Sequence, residues 1–128
     1  VELIHEHGSR ARFHCHGRIG QVLDEIAASG ADALDPCEGP PSGDIELSEV
    51  KARVGDRMCL FGNLQLRLLE AGSEAEVRAE VRRCMEAAKP GGGYVIMPTA
   101  APINVPLSPQ TEANYLAFLD EARACGGY

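Results

Sequence analysis

The sequence lacks several features that mark particular classes of protein. No apolar run approaches the roughly 18 residues that a bilayer-spanning helix needs, so we expect no membrane partner. Basic residues are scarce, with 12 Lys and Arg against 19 Asp and Glu, and the formal net charge of -7 argues against a nucleic-acid partner. No signal peptide is visible, although the chain begins at Val1 rather than Met, so we expect residues to precede it.

The cysteines do not form a disulfide pattern. There are 5 of them, an odd number, and no two are spaced as CxxC. We therefore predict free thiols and a location in the reducing cytoplasm. Cys59 and Cys84 stand inside apolar stretches, and we predict that both act as small buried hydrophobic residues.

A recurring order of elements predicts the fold. Four times a helix is followed by glycine, a short apolar strand and a polar or Gly/Pro-rich loop; the strands are residues 12–15, 33–35, 58–61 and 94–97. Strands that alternate with helices form a parallel sheet, so the fold class is α/β with four consecutive βα units, the C-terminal half of a TIM (β/α)8 barrel. We expect one domain over residues 1–128, completed by an N-terminal half of the barrel or by a second copy.

Sequence motifs typical of helix termini predict where several helices begin and end. Ser73 and Glu76 have the spacing of a capping box, and Ser108 followed by Pro109 is typical of a helix N-terminus. Residues 19–26 and 47–54 show the apolar periodicity of amphipathic helices. The glycines beyond the helices are expected to adopt the left-handed conformation that ends a helix; they are Gly8, Gly30, Gly55 and residues 91–93.

Two histidines mark the end of the first strand. In a parallel barrel the functional site lies in the loops that follow the strands. His14 and His16 are two residues apart, so both side chains point to the same face and form a reasonable half of a zinc or other divalent-metal site. The alternative is that they bind substrate or hydrogen-bond locally. A second such pair, His5 and His7, falls at the opposite end and is interpreted as solvated surface.

The loop of residues 35–44 offers further ligands beside these histidines. Cys37 or Glu38 is predicted to complete the metal site. Asp35 is predicted to contact substrate, or to orient a histidine by accepting the N–H of its second ring nitrogen. The alternative for the loop is a rigid proline turn in which Asp44 caps the next helix.

Two more residues are candidates for binding substrate. Asn63, after the third strand, can donate to a substrate carboxylate, and Arg18 can meet an anionic ligand, although surface exposure explains Arg18 equally well. Residues 98–102 contain no ionisable group, so we expect that loop only to shape a pocket.

The order and spacing of several segments together resemble the second half of the uroporphyrinogen decarboxylase superfamily. The resemblance runs from about Arg12 to the end of the chain and implies that the four strands are the fifth to eighth of the barrel. The segments that carry it are residues 14–17 (His-Cys-His-Gly), 29–34, 54–57, 62–64 (Gly-Asn-Leu), 77–85 and 93–96.

One branch of that superfamily, the decarboxylases, acts on porphyrinogen carboxylates without metal or cofactor. The resemblance implies a pocket histidine after the eighth strand and an aspartate after Gly-Asn-Leu, and here those places hold Ala100 and Gln65. Both departures weaken a decarboxylase assignment.

The other branch, the methyltransferases, uses zinc to activate a thiol acceptor for a corrinoid-bound methyl group. The resemblance implies ligands from a fifth-strand His-x-Cys and an eighth-strand cysteine; His14 matches, His16 replaces the first cysteine, and Ala100 stands in place of the second. We therefore expect a metal-dependent methyltransferase-like enzyme with a small-molecule substrate and a corrinoid protein as partner. The alternatives are a uroporphyrinogen decarboxylase of porphyrin biosynthesis and a non-catalytic tetrapyrrole- or corrinoid-binding protein.

Overall fold

A computed structural model describes residues 1–127 of the chain. Helices and short strands alternate along most of its length. The elements are α1 (Glu2–Glu6), β1 (Arg12–His14), α2 (Leu23–Ala28), β2 (Ala33–Asp35), α3 (Leu47–Val54), β3 (Cys59–Leu64), α4 (Leu66–Ala71), α5 (Glu74–Ala88), β4 (Tyr94–Pro98) and α6 (Pro109–Cys125).

The four strands form one parallel sheet in the order β1-β2-β3-β4. This confirms the predicted parallel sheet of consecutive βα units. The register places His14 directly beside Asp35, and the backbone N–H of Cys15 continues the ladder by donating to the Asp35 carbonyl at 2.9 Å. The ends of β1 and β2 therefore meet at one edge, where the loops that follow them lie together.

The two faces of the sheet have different surroundings. Leu34 and Leu60 are fully buried against the helices that connect the strands, in a cluster that also includes residues of α2 and α3. A second cluster joins the end of β3 to α4, α5 and α6, with Leu64 and Leu69 at its centre. Because side chains alternate along a strand, Arg12 and His14 lie on the opposite face, where both are exposed.

Several predictions made from local sequence motifs are confirmed. The capping box predicted at Ser73 is present, with the Ser73 hydroxyl and the Glu76 carboxylate each bonded to the other residue's backbone N–H. Ser108 caps α6 and Pro109 is its first residue, as predicted. Cys84 is fully buried, as expected, whereas Cys59 is only partly buried.

Other predictions were wrong in detail. α2 begins at Leu23 rather than near residue 19, because residues 20–22 form turns. β3 continues to Leu64 instead of ending at Phe61. Gly55 has φ −69°, so it is not left-handed, unlike the glycines that follow α1, α2 and α5. Within residues 1–127 no helix has the length and apolar character needed to cross a membrane.

Candidate metal centre

His14 and His16 lie side by side at the carboxyl end of β1. Their ring centroids are 4.8 Å apart, and the rings meet edge to face at 75°. Roughly half of each side chain is exposed. The structure therefore brings together the two predicted metal ligands.

Each histidine has a carboxylate beside its Nδ1 atom. The Nδ1 atom of His14 is 2.9 Å from Oδ2 of Asp35, and Nδ1 of His16 is 3.3 Å from Oε1 of Glu38. An ionised carboxylate only accepts hydrogen bonds, so in the His14 pair Nδ1 is the donor. With Nδ1 donating, the Nε2 atom of His14 faces away from Asp35, the arrangement typical of metal-binding histidines with an outer carboxylate. His16 has a carboxylate at the same ring position.

Asp35 is the more deeply buried of the two carboxylates, with 2% of the residue exposed. Its Oδ2 atom also lies 3.6 Å from Nε of Arg12, while Oδ1 is buried and has no hydrogen-bond partner within residues 1–127. Burying a carboxylate charge this deeply costs free energy unless the charge is paired. The contacts with Arg12 and His14 supply that pairing, so Asp35 has the geometry expected of a residue that orients His14.

Glu38 has both carboxylate oxygens occupied. Oε1 faces His16, and Oε2 accepts the backbone N–H of Gly17 at 2.7 Å. The loop folds back sharply here: a Cβ on Gly43 would lie 1.8 Å from the Glu38 carbonyl oxygen, so only glycine fits. Glu38, predicted as the alternative to Cys37 for the third metal ligand, therefore lies beside His16, and its role as a ligand stays a prediction.

Cys37 does not lie with the histidines. Its side chain is fully buried in the apolar cluster behind the sheet, and its thiol donates to the Leu34 carbonyl at 3.7 Å. Burial raises the pKa of the Cys37 thiol to about 12, which disfavours the thiolate that a metal requires. The structure therefore does not bring Cys37, one of the two predicted third ligands, to the histidines. The part of the chain it describes contains no group of three His, Cys, Asp or Glu residues placed to hold a metal.

Asn63 is turned toward the helices instead of toward the histidines. Its amide donates to the Cys37 carbonyl at 2.8 Å, and its oxygen accepts from Arg83 at 3.2 Å and from the Cys84 thiol at 3.3 Å. With 2% of the residue exposed, Asn63 joins the end of β3 to α5. A substrate carboxylate would have to displace one of these contacts in order to reach it.

Arg18 and Asp44 occupy the rim of the same loops. Arg18 is exposed and makes no hydrogen bond or ion pair within the described chain, so its predicted role with an anionic ligand stays a prediction. Asp44 does not cap α3: Glu46 is the N-cap residue, and Asp44 accepts the backbone N–H of Gly20 at 2.9 Å. That bond ties the loop after β2 to the segment after His16.

Sequence reasoning missed Arg12. It lies two residues before His14 on β1, so its side chain is on the same face, and its guanidinium lies 5.2 Å from the centre of the Phe61 ring. The alternation that placed His14 and His16 together could also have placed Arg12 there.

The second histidine pair lies at the opposite end of the sheet. His5 Nε2 is 2.7 Å from Asp32, which also accepts from Arg10 and from the backbone N–H of Ala11. His7 is exposed, and its ring forms a hydrogen bond with the Leu3 carbonyl of its own helix. His5 is therefore a half-exposed structural contact, whereas His7 matches the predicted solvated surface.

Comparison with known proteins identifies similar families and structures. The family model described as uroporphyrinogen decarboxylase (URO-D) matches residues 1–123. Proteins named uroporphyrinogen decarboxylase from Chromohalobacter salexigens and Bordetella petrii are 43% identical over 76 residues and 41% identical over 78 residues. Each match covers 59% of this chain but only 20% of the relative, so the chain spans about a fifth of the curated relatives it matches.

A solved structure is also similar. A methyltransferase from Methanosarcina mazei superposes with a TM-score of 0.70 at 21% sequence identity, over 93% of this chain and 32% of that one. The likeness confirms the predicted fold, the βα units of a (β/α)8-type barrel, and shows that a much larger protein contains this arrangement.

Proposed function

The chain belongs to the uroporphyrinogen decarboxylase family, and we propose that it is the metal-binding half of a methyltransferase-like enzyme in that family. The observation that carries the proposal is the paired set of His14 with Asp35 and His16 with Glu38. Two neighbouring imidazoles, each with a carboxylate on Nδ1, present two Nε2 lone pairs at the catalytic end of a strand.

These residues fit a divalent metal of zinc type. Imidazole nitrogens suit zinc, and the outer carboxylates raise their basicity and fix their tautomer. In the proposed site His14 and His16 hold the ion, Asp35 and Glu38 orient them, and Cys37 stays in the core. A third ligand comes from outside this set, and a further position is left for substrate. When bound, such an ion would lower the pKa of a coordinated thiol and so favour its thiolate form.

Methyl transfer is the proposed reaction class because of the two histidine ligands and the family to which the chain belongs. Methyl transfer between a corrinoid and a thiol acceptor needs a site that holds a thiol deprotonated, and a small-molecule substrate with a corrinoid protein as partner fits that chemistry. The solved neighbour named as a methyltransferase supports the proposal at the level of fold. All five cysteines are free thiols, in keeping with the proposed cytoplasmic location.

Metal content tests the proposal directly. Full-length protein would be purified and its metals measured by elemental mass spectrometry, beside a His14→Ala/His16→Ala double variant. The matched control is His5→Ala/His7→Ala, which removes a pair of the same spacing from the opposite end. We expect about one metal ion per chain in the wild type and in the control, and loss of metal in the first variant alone. Equal metal content in all three proteins would refute the site.

Decarboxylation is the second candidate, because curated relatives at up to 43% identity are named uroporphyrinogen decarboxylase. Gln65 and Ala100 stand where the resemblance implies an acid and a histidine, which weakens it. Release of coproporphyrinogen by the metal-free full-length protein would favour this candidate over methyl transfer. Tight tetrapyrrole binding without any turnover would instead favour a binding protein.

A further inference from the structure

We infer that Asn63 is a positioning residue for Asp35 and Glu38, the two carboxylates of the proposed metal centre, because its amide fixes the loop from which both reach the histidines. The inference rests on the proposed function for the role of those carboxylates. The contacts that carry it join β2, β3 and α5, all of which the structure describes.

The loop after β2 is attached to β3 by a side chain, beyond the end of the ladder between the two strands. That ladder ends at Leu34. Farther along the loop, the Asn63 amide donates to the Cys37 carbonyl at 2.8 Å. Cys37 comes directly before Glu38 and two residues after Asp35. One hydrogen bond therefore holds the backbone between the two carboxylates.

Cys37 has a backbone conformation that needs such support. Its φ of 54° lies in the left-handed region, which residues with a side chain resist and keep only where the surrounding structure holds them. The Cys37 thiol also donates to the Leu34 carbonyl at 3.7 Å, so the side chain is anchored behind the sheet. With its carbonyl and its side chain both fixed, Cys37 sets the direction in which the chain continues to Glu38.

Gly62 allows the strand and the loop to approach this closely. A Cβ at this position would lie 1.9 Å from the Pro36 carbonyl oxygen, and the φ of 138° also favours glycine. The Tyr94 hydroxyl donates to the Gly62 carbonyl, which fixes the strand side of the contact. Consecutive residues of β3 therefore meet consecutive residues of the loop: Gly62 meets Pro36, and Asn63 meets Cys37.

Two donors from α5 determine which way the Asn63 amide faces. Its oxygen accepts from Arg83 at 3.2 Å and from the Cys84 thiol at 3.3 Å, which leaves the NH2 group for Cys37. Arg83 is itself held by a bidentate ion pair with Glu80, at 2.7 and 2.9 Å. Asn63 is 2% exposed, so losing a partner would leave a buried polar group unsatisfied. The loop thus takes its position from α5 through Asn63.

The Gly17 amide reports the position of Glu38 without any metal. Its N–H donates to Oε2 of Glu38 at 2.7 Å, while Oε1 lies 3.3 Å from Nδ1 of His16. If the loop moves, the Gly17 N–H loses a charge-assisted hydrogen bond and exchanges faster with solvent. Gly55, whose N–H donates to the Lys51 carbonyl at the end of α3, is the internal reference for the stability of the fold.

The test is amide hydrogen exchange, measured by NMR on metal-free, full-length protein labelled with 15N-glycine, beside a competitive zinc titration. Asn63→Asp keeps the shape and the contacts with α5, but an acceptor replaces the NH2 donor that faces the Cys37 carbonyl. We expect Gly17 to exchange about tenfold faster, with Gly55 unchanged. Zinc should bind about tenfold more weakly, at the lower end of what the outer partners of metal ligands contribute.

Asn114→Asp is the matched control. Asn114 is 1% exposed, and its amide donates to two backbone carbonyls at the end of α4, those of Leu69 and Gly72. Its replacement should lower the melting temperature, while the ratio of Gly17 to Gly55 exchange and the zinc affinity stay as in the wild type.

A second pair of variants decides the question if Asn63→Asp fails to fold. Arg83→Gln, at a half-exposed position, removes one donor to the Asn63 oxygen and should shift both readouts in the same direction by a smaller factor. Arg82→Gln is its matched control, because Arg82 precedes it on α5 but pairs with Glu121, and it should shift neither readout.

Three results would overturn the inference: unchanged Gly17 exchange in Asn63→Asp, an equal rise in Asn114→Asp, or zinc bound by Asn63→Asp as tightly as by the wild type. The two proposals fail separately, because exchange at Gly17 needs no metal. A wild type that binds no zinc, with faster Gly17 exchange in Asn63→Asp, would remove the metal centre and support the positioning of Glu38 by Asn63. A wild type that binds zinc, with unchanged Gly17 exchange in the variant, would do the reverse.

Discussion

Replacing Asp35 with asparagine tests whether this carboxylate positions His14. Asparagine has nearly the same shape, so the buried space stays filled while the charge facing His14 Nδ1 at 2.9 Å is lost. A charge-assisted hydrogen bond becomes a neutral one of about half the strength. If the amide NH2 group faces the ring, the imidazole proton moves to Nε2 and blocks the metal-binding lone pair. Outer carboxylates of this kind contribute about 10- to 100-fold to metal affinity, or about 1.4–2.7 kcal/mol.

The assay is a competitive zinc titration of full-length protein against a chromophoric chelator. Asp35→Asn should bind zinc about 10- to 100-fold more weakly than the wild type. Glu38→Gln should lose less, because Oε1 is farther from its histidine, at 3.3 Å. The control is Asp56→Asn, whose side chain is 84% exposed. If Asp35→Asn binds zinc as the wild type does while His14→Ala does not, the carboxylate is no positioning group and the reasoning fails.

Three further predictions concern the rest of the chain. The hydrogen bond from His5, with others, holds the pKa of Asp32 well below its usual range, so this carboxylate stabilises the fold above a pH of about 4 and the stabilisation is lost as pH falls below it. Asp32→Asn should therefore flatten the fall in melting temperature below that pH. An unchanged slope would contradict this. Burial raises the pKa of the Cys37 thiol to about 12 and that of the Cys84 thiol to about 11. Iodoacetamide at neutral pH should therefore alkylate both far more slowly than Cys125, as measured by peptide mass spectrometry. Equal alkylation rates would refute the burial of the two thiols. Ser73→Ala removes a complete capping box and should lower the free energy of unfolding by about 1 kcal/mol in urea denaturation, whereas no change would mean that the α5 terminus is held by packing alone.

The elements with signals in their own sequence were the predictable ones. α5 and α6 begin at capping residues that can be recognised without any tertiary information. α4 was not predicted, because its six residues are separated from α5 only by Gly72 and Ser73, and a helix so short takes its stability from packing. β3 was cut short because Gly62 and Asn63 are typical of a loop, whereas in the structure they pair with β4.

The sequence predicted which residues lie at the site better than it predicted the contacts between them. Strand alternation was enough to put His14 and His16 on one face, since it depends on the backbone alone. The partner of each histidine depends on what lies across the sheet: His14 meets Asp35 through the register of β1 with β2, and His16 meets Glu38 because the loop turns back at Gly43. Long-range contacts of this kind have no signature in one segment, so the contact between Glu38 and His16 was not predicted.

The ligands assigned in the proposed site determine the charge of that site. In the proposed centre the ligands are the imidazoles of His14 and His16. Cys37, the thiolate that the sequence offered, is held in the core with its pKa raised to about 12. In that proposal the described residues give the ion no negatively charged ligand, while Asp35 and Glu38 act through the histidines. An ion with neutral ligands keeps more of its charge for the molecule that it activates than one bound by thiolates. We therefore expect the site to acidify a bound acceptor more strongly than a cysteine-rich site would, and His16→Cys to raise the pKa of a bound thiol in a pH–rate profile.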